Sequence, residues 1–295
     1  MQNYKIFTDA TCDLTPQQVE ECDVRVMPME VVIGGQSFLH YPDEREMSLK
    51  EFYTRLRGGE TATTVAISMG TWEQVLEEEL KNGSDLLLVI FSSALSSTYN
   101  NAKMAADELK EKYPERKIVI VDTLCESLGV GMLTRMASKW RAEGKTIEEN
   151  ATLLERIKLK IHHWFTVDDL GHLRRGGRIS MATAIVGQAL GIKPILHMDG
   201  EGRLVAVGKV RGRKHAIKEI INRMEALAEE PANQDVFIIH ADCPEDGEAL
   251  RQELLSRIPV KSVTINQLGP LAGAHAGPGT LAVFFIGKHR ASLNF

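Results

Sequence analysis

The sequence predicts an α/β protein with two domains: an N-terminal α/β/α domain on a parallel, Rossmann-like sheet, and a C-terminal α+β domain. The first half alternates short apolar runs with helical segments, which is typical of parallel strands joined by crossover helices. The second half mixes helices with a hairpin signal, Asp199-Gly200-Glu201-Gly202, between two apolar runs. The 295 residues fit about two domains, and we expect these over 1–160 and 161–295.

Four apolar runs predict the strands of the first half. Lys5–Phe7 is short, whereas Val24–Ile33 is longer and rich in β-branched residues. The runs Asp85–Phe91 and Lys117–Val121 are almost continuously apolar, as expected of parallel strands that are covered on both faces.

Capping residues predict where the helices of the first half begin. Thr15 suits an N-cap, Pro16 the first helical position and Gln18 the third. Three other starts pair a hydroxyl residue with Glu or Gln three positions later: Ser48-Leu49-Lys50-Glu51, Thr71-Trp72-Glu73-Gln74 and Thr146-Ile147-Glu148-Glu149. Further helices are expected over 97–113, before Pro114, and over 127–143, before Gly144.

The second half begins at Trp164–Val167, which leads into a short helix. The other predicted strands are Lys193–Met198, Arg203–Val210, Asp235–His240, Lys261–Asn266 and Leu281–Ile286, and the longer predicted helices are Ser180–Leu190, Lys214–Glu229 and Pro244–Arg257. The segment 179–192 is apolar around most of its circumference and carries several small residues. Such a helix is either buried core or the wall of an apolar cavity.

Composition narrows the classes of function. With 35 basic and 40 acidic residues the net charge is −5, which argues against broad binding to nucleic acid or anionic membrane but allows a local anion site. We see neither a signal peptide nor an apolar run of membrane-spanning length, so we expect a cytoplasmic protein without stable membrane insertion. The four cysteines form no CxxC pair, and no metal site or cofactor is predicted.

The densest polar feature is Ser92-Ser93-Ala94-Leu95-Ser96-Ser97-Thr98, which lies between a predicted buried strand and a helix. Ligands bind at this edge of open α/β sheets, and a helix N-terminus favours anions. The other interpretation is that these residues only cap the following helix. A helix N-cap needs one hydroxyl, however, and this segment has five. A second hydroxyl cluster, Thr61-Ala62-Thr63-Thr64, is expected to be a loop with a cap.

Cationic and imidazole groups occur beside glycines. Arg174-Arg175-Gly176-Gly177-Arg178 suits a phosphate or carboxylate, or is simply a basic turn that ends a helix. We expect His275 on a tight loop before a strand, where a functional role is more common than in a core. His162-His163 lacks the spacing of a helical zinc site.

The common motifs GxSxG, GxxxxGK[ST], GxGxxG and HExxH are absent from the sequence, so nucleotide hydrolysis by this chain is not expected. An anion site together with an apolar cavity would suit an amphiphile with an acidic head, such as a fatty acid.

Taken together, these segments resemble the DegV family of bacterial fatty-acid-binding proteins. The matching pieces occur in family order over nearly the whole chain: Thr8-Asp9-Ala10-Thr11 with Asp13-Leu14; Thr63-Thr64 before Ser68; Ser92-Ser93 with Leu95-Ser96-Ser97-Thr98-Tyr99; Val121-Asp122-Thr123; Gly176-Gly177-Arg178-Ile179-Ser180; Gly191-Ile192-Lys193-Pro194-Ile195; Arg211; and His275 with Gly277-Pro278-Gly279.

The resemblance implies one long-chain fatty acid held between the two domains, with its acyl chain in a buried tunnel. It also implies a separate fatty acid kinase as partner, which uses ATP to make an acyl phosphate for phospholipid synthesis. By resemblance, the carboxylate would be held by Thr63, Thr64, Ser93 and Ser96. The head-group opening would be lined by Gly177, Arg178, Arg211 and His275. We expect the acyl tunnel to be lined by Ile179, Ile185, Leu190 and Ile192.

Two positions depart from the family pattern. The family often has Thr-Ser-Gln-Pro-Ser where this chain has Thr64-Val65-Ala66-Ile67-Ser68, which leaves open whether Thr63 or Thr64 faces the ligand. It also favours Leu-Ser-Gly-Thr where this chain has Leu95-Ser96-Ser97-Thr98.

Two other functions remain alternatives. In one, Ser93 or Ser96 is the nucleophile of an acyl hydrolase or transferase, with His275 as its base. In the other, the protein is a regulatory protein that binds a small anion and no acyl chain.

Overall fold

The computed structural model describes residues 4–179 and 191–293. A four-stranded, fully parallel sheet carries the first half, and its strands lie in the order β2 (Arg25–Met27), β1 (Tyr4–Asp9), β6 (Asp85–Ile90) and β7 (Ile118–Asp122). Its central strands are the apolar runs found in the sequence, and Leu86 through Ile90 are fully buried. The predicted α/β fold class with a parallel sheet is therefore confirmed.

A second, antiparallel sheet lies in the same half, in the order β4 (Gln36–His40), β3 (Met29–Ile33) and β5 (Ala62–Val65). The run Val24–Ile33 thus supplies strands to two sheets, separated by Pro28, which has no N–H for a ladder. The expectation that Thr61–Thr64 is a loop was wrong, because residues 62–65 pair with β3.

The third sheet has six strands, in the order β10 (Leu204–Arg211), β9 (Ile192–Met198), β8 (Ile161–Thr166), β13 (Leu281–Ile286), β11 (Asp235–His240) and β12 (Ser262–Gln267). Only β11 and β12 among these neighbours run parallel. The predicted hairpin over 199–202 connects β9 to β10 and is closed by the Asp199 N–H, which donates to the Arg203 carbonyl at 2.9 Å.

The described helices are α1 (Pro16–Cys22), α2 (Leu49–Arg57), α3 (Met69–Lys81), α4 (Thr98–Lys112), α5 (Leu128–Ala142), α6 (Ile147–Ile157), α7 (Leu170–Arg175), α8 (Arg213–Leu227), α9 (Pro244–Arg257) and α10 (Pro270–Ala276). The predicted capping boxes of Thr15 and Thr146 are both formed. The helix predicted over 180–190 lies outside the described residues.

Two helix predictions were wrong. The start of α3 was placed at Thr71, but Ser68 is the N-cap, and its hydroxyl accepts from the Thr71 N–H at 3.1 Å. His275 was expected on a loop, yet it lies in the last turn of α10. That helix forms because Gly269 and Pro270 provide a start, and it stops at Gly277, whose φ of +79° favours glycine.

The larger hydrophobic core joins the two halves of the chain. It contains β6 residues such as Leu88 together with Phe165, Met198 and Phe284 from the six-stranded sheet. A smaller core lies between the outer face of that sheet and helices α8 and α9. The strands that follow residue 160 all belong to the six-stranded sheet, while the domain bounds 1–160 and 161–295 stay a prediction.

A buried arginine also links the halves. The Arg290 side chain is 2% exposed and donates to the carbonyls of Leu124 and Lys158 in the first half. In the second half it donates to the carbonyls of Met198 and Asp199. Burial lowers its pKa. These four carbonyls hold the hairpin end of the six-stranded sheet beside the carboxyl end of β7.

Candidate functional site

Three adjoining cavities share Arg178 and His275 among their lining residues. The outer cleft has a volume of about 190 Å³ and includes the exposed Thr63 and Arg175. The neck, of about 20 Å³, is lined by Thr64, Ser96, Leu95 and Glu126 besides the two shared residues. The inner pocket has about 60 Å³, and its walls are mainly apolar.

Strand β5 places Thr64 at the neck and turns Thr63 away from the neck. Successive side chains of a strand point to opposite faces. Thr64 pairs with the buried Val31 on the inward face, whereas Thr63 pairs with Val32 on the outward face. The Thr64 Oγ1 atom lies 2.9 Å from His275 Nε2. Both threonines line the outer cleft, but of the two only Thr64 also lines the neck.

The hydroxyl segment after β6 divides into different roles. Ser92 is buried, and its hydroxyl donates to the Gly202 carbonyl at 2.8 Å, which ties this segment to the hairpin of the second half. Ser96 lines the neck, and its Oγ lies 3.1 Å from Thr98 Oγ1. Ser93 is half-buried, donates its backbone N–H to Asp122, and is not among the residues that line the three cavities.

The turn after α7 delivers Arg178 to the site. Gly177 is exposed and has a φ of +68°, and the Arg178 N–H donates to the Leu173 carbonyl at 3.1 Å. The guanidinium donates to the carbonyls of Leu95 and Gly176. A Cβ at Gly176 would lie 2.3 Å from His275 Nδ1, so this close approach requires glycine.

His275 is neutral near pH 7. Burial, which is the larger cause, and the positive charge of Arg178 together lower the pKa of its imidazole to about 4. A neutral imidazole can accept at one nitrogen and donate at the other. Together, Thr64, Ser96 and His275 offer hydrogen-bonding groups around one permanent cation, a set that suits an oxyanion.

Glu126 was missed by the sequence reasoning. It lies between β7 and α5 and lines both the neck and the inner pocket. Burial raises the pKa of its carboxyl to about 7, although the nearby Arg178 acts against this. Its position in the sequence could have identified it as a candidate site residue. It follows β7, and the carboxyl ends of neighbouring parallel strands meet at one sheet edge.

Apolar side chains from the six-stranded sheet and from helices α7 and α10 form most of the inner pocket. The lining includes Leu173, Phe165, Met198, Leu204, Ile239 and Phe284. Of the predicted tunnel residues, Ile179 is buried and forms an isolated backbone β-bridge with Leu204. Ile192 is half-buried at the start of β9. Ile185 and Leu190 lie outside the described residues.

Arg211 stands apart from the cavities. It is exposed at the end of β10, where its carbonyl accepts from His215 Nδ1 at 2.8 Å. The described residues that line the three cavities do not include it. The structure therefore brings together Thr64, Ser96, Arg178 and His275, but not Arg211.

The serine-nucleophile arrangement is not formed in the described ranges 4–179 and 191–293. There, His275 Nε2 is engaged by Thr64, and Ser96 is engaged by Thr98. Within the same ranges, no group of three or more His, Cys, Asp or Glu side chains could hold a metal ion. No helix in the described part of the chain is both long and apolar enough to cross a membrane.

Comparison with known proteins gives a consistent result. A family model described as "Uncharacterised protein, DegV family" matches residues 3–288. A DegV domain-containing protein of Clostridium perfringens is 39% identical over 287 residues, which is 97% of this chain and 98% of the relative. One from Streptococcus pyogenes is 37% identical over 286 residues, or 97% of this chain and 99% of the relative.

Solved structures agree with the fold. A DegV family protein from Thermus thermophilus that binds fatty acid superposes with a TM-score of 0.87 at 33% identity, covering 97% of this chain and 100% of its own. DegV of Bacillus subtilis, a fatty acid binding protein, gives a TM-score of 0.82 at 29% identity, with coverages of 98% and 100%. From the match over residues 3–288 and relatives above 30% identity, we conclude that the chain belongs to the DegV family.

Proposed function

We propose that this protein binds a single long-chain fatty acid between the two halves of the molecule, with its carboxylate in the neck and the first part of its acyl chain in the inner pocket. One observation carries the proposal: the neck, which is small and polar, adjoins the apolar inner pocket, and Arg178 and His275 line both. The fatty-acid-binding relatives from Thermus thermophilus and Bacillus subtilis support it.

The energetics suit such a ligand. At about 0.8 kcal/mol per buried CH₂ group, a chain of roughly 15 carbons would contribute on the order of 12 kcal/mol if it were buried along its whole length, before the costs of ordering. A buried carboxylate without partners would be expensive. Thr64, Ser96 and Arg178 meet that requirement, because two hydroxyls and a guanidinium surround the same small space.

Native mass spectrometry of the protein purified without delipidation tests this proposal. We expect one fatty acid mass per chain, or stoichiometric uptake when oleate is added to delipidated protein. Protein that is free of lipid and takes up no added oleate would refute fatty acid binding.

The same proposal extends to the use of the ligand. The protein itself would not be an enzyme; it would present the carboxylate through the outer cleft to a separate cytoplasmic fatty acid kinase, and the acyl phosphate would feed phospholipid synthesis. Two features support this: the cleft reaches exposed residues such as Arg175, and the sequence contains no GxxxxGK[ST] phosphate loop. Arg211, exposed and outside the cavities, is suited to contact a partner rather than the ligand.

Substitution of Arg211 separates the two steps. We expect Arg211→Ala to leave the dissociation constant for oleate within about twofold, because the side chain lies outside the cavities, and to slow acyl phosphate formation by an added fatty acid kinase with ATP about tenfold or more. Arg251→Ala, which removes an arginine on α9 that is 39% exposed, is the matched control. Equal loss of binding and phosphorylation would contradict this division of roles, and so would unchanged phosphorylation.

A further inference from the structure

Glu126 is a polar side chain in the cavities that the hydrogen-bond network of the protein does not use. Its backbone N–H donates to His163 Nε2 at 3.4 Å, which fixes the main chain between β7 and α5. The residue lines both the neck and the inner pocket. Among residues 4–179 and 191–293, neither oxygen of its carboxyl group has a hydrogen-bond or ion-pair partner.

Apart from Arg178, the groups around Glu126 provide no positive charge. Arg178 is the nearby cation, and its guanidinium donates to the carbonyls of Leu95 and Gly176. Two imidazoles also line the inner pocket, His275 on α10 and His163 on β8. Burial lowers the pKa of both, to about 4 for His275, so they are neutral near pH 7.

Two buried acids lie near Glu126, and both already have hydrogen-bond donors. Asp9, at the end of β1, accepts from Thr11 and from the Phe91 N–H. Asp13 accepts from the Ser127 hydroxyl and the Gly269 N–H. Burial is the main cause that raises the pKa of Glu126; the positive charge of Arg178 lowers it, and the negative charge of Asp9 raises it. Near neutral pH the Glu126 carboxyl therefore exchanges a proton readily.

The neck is so small that a ligand group bound in it must lie close to Glu126. A volume of about 20 Å³ holds little more than one water-sized group. A carboxylate placed there between Thr64 and Ser96 comes close to Glu126 as well. Two ionised carboxylates in one small site repel each other, so that one of them binds a proton.

We propose that Glu126 is a further ligand-binding residue, whose protonated carboxyl donates a hydrogen bond to the carboxylate of the bound ligand. Binding then takes up one proton from solvent, and the proton stays between the two carboxyl groups. This inference rests on the proposed fatty acid ligand. The donated hydrogen bond makes the site selective for ligands whose head group accepts a hydrogen bond, and against ligands whose head group is a cation.

Calorimetric titration with submicellar oleate, from pH 6 to pH 8.5, tests the proposal. For the wild-type protein we expect the dissociation constant to increase about tenfold for each pH unit above 7, because the free protein must then be protonated on binding. Titration at pH 8 in two buffers of different ionisation enthalpy should report uptake of about one proton per oleate.

Variants at Glu126 locate the proton. Glu126→Gln keeps a donor and does not ionise, so its affinity should vary less than about twofold over the same pH range. Glu126→Leu has no donor and should bind oleate about tenfold more weakly than Glu126→Gln at pH 6. Glu155→Gln, which removes an exposed carboxylate on α6, should behave like the wild type.

Three results would overturn the proposal. Oleate binding by the wild type with no pH dependence and no proton uptake would reject the role of Glu126 while fatty acid binding stands. A pH dependence unchanged in Glu126→Gln would assign the proton to another group. Failure of the wild type to bind oleate at any pH would instead reject the proposed function, and this inference with it.

Discussion

Thr64 and Thr63 show how one residue step on a strand separates a position in the neck from a position on the surface. Thr64 lies 2.9 Å from His275 Nε2 and lines the neck, whereas Thr63 shares the outward face of β5 with Val65. Val65 stands where the family pattern has Ser, but its side chain is on the outward face. The missing hydroxyl therefore does not change the inward face, which carries Thr64. The sequence left open which threonine faces the ligand, because the alternation of a strand is informative only once the segment is known to be one.

Paired substitutions of these threonines test the assignment. We expect Thr64→Ala to weaken oleate binding about tenfold, which is near the value of one hydrogen bond to a charged group. Thr63→Ala should change it less than about twofold, because its side chain points away from the neck. Calorimetric titration of both variants at pH 7 measures the difference, and equal effects of the two changes would show that the strand is oriented otherwise.

The serine segment could be predicted as a region but not residue by residue. Its position at the end of a buried strand pointed to the sheet edge beside which the neck lies. Which hydroxyl enters the neck depends on the turn between β6 and α4. In that turn Ser92 bonds to Gly202, a residue 110 positions away in sequence. Such a long-range contact leaves no periodic signal, and it explains why Ser92 was not assigned a role.

At the scale of the element, α10 is held at its N-terminus by Asp13. The Asp13 side chain accepts from the Gly269 N–H at 2.9 Å and from the Ser127 hydroxyl at 2.5 Å. Gly269 offers no side-chain cap, so Asp13 supplies the acceptor from another part of the chain. Because His275 lies in the last turn of the same helix, Asp13 also helps to position the site.

Two substitutions of Asp13 test this capping role. Asp13→Ala leaves the buried Gly269 N–H without its acceptor and should lower the free energy of unfolding by about 1–3 kcal/mol. Asp13→Asn keeps an acceptor for that N–H and should cost less. Urea denaturation of the three proteins measures both effects, and an Asp13→Ala variant as stable as the wild type would show that the cap contributes nothing.

The pH dependence of the Asn variant has a definite sign. Burial raises the pKa of Asp13 from 3.8 to about 7, so between these values the unfolded state is ionised while the folded state is protonated. The wild type therefore loses stability as pH rises through this window. Relative to the wild type, Asp13→Asn should gain stability between pH 4 and pH 7, and urea denaturation at pH 5 and pH 8 compares the two.

The short helix α10 also shows where element prediction failed. The start signal Gly269-Pro270 and the stop at Gly277 were present in the sequence. The helix has seven residues, and the dense glycine and proline around it resemble a loop as much as a helix. Packing decides between them, because six of its seven residues are buried.

At the scale of the molecule, the alternating first half predicted the parallel sheet, and the hairpin signal predicted the β9–β10 pair. The strand orders could not be predicted, because β11, β13 and β8 pair across long sequence separations. The acyl tunnel was predicted along Ile179, Ile185, Leu190 and Ile192, and this stays a prediction. The six-stranded sheet supplies much of the described lining of the inner pocket, including Phe165 and Met198. A cavity depends on how layers meet, which periodicity within one segment does not report.

A crystal structure of the protein with bound oleate tests the central claim most directly. We predict the carboxylate in the neck, within about 3 Å of Thr64 Oγ1 or Ser96 Oγ, and the acyl chain in the inner pocket beside Phe165 and Phe284. Oleate held in the outer cleft alone, or with its carboxylate in the inner pocket and its chain toward the surface, would contradict the account.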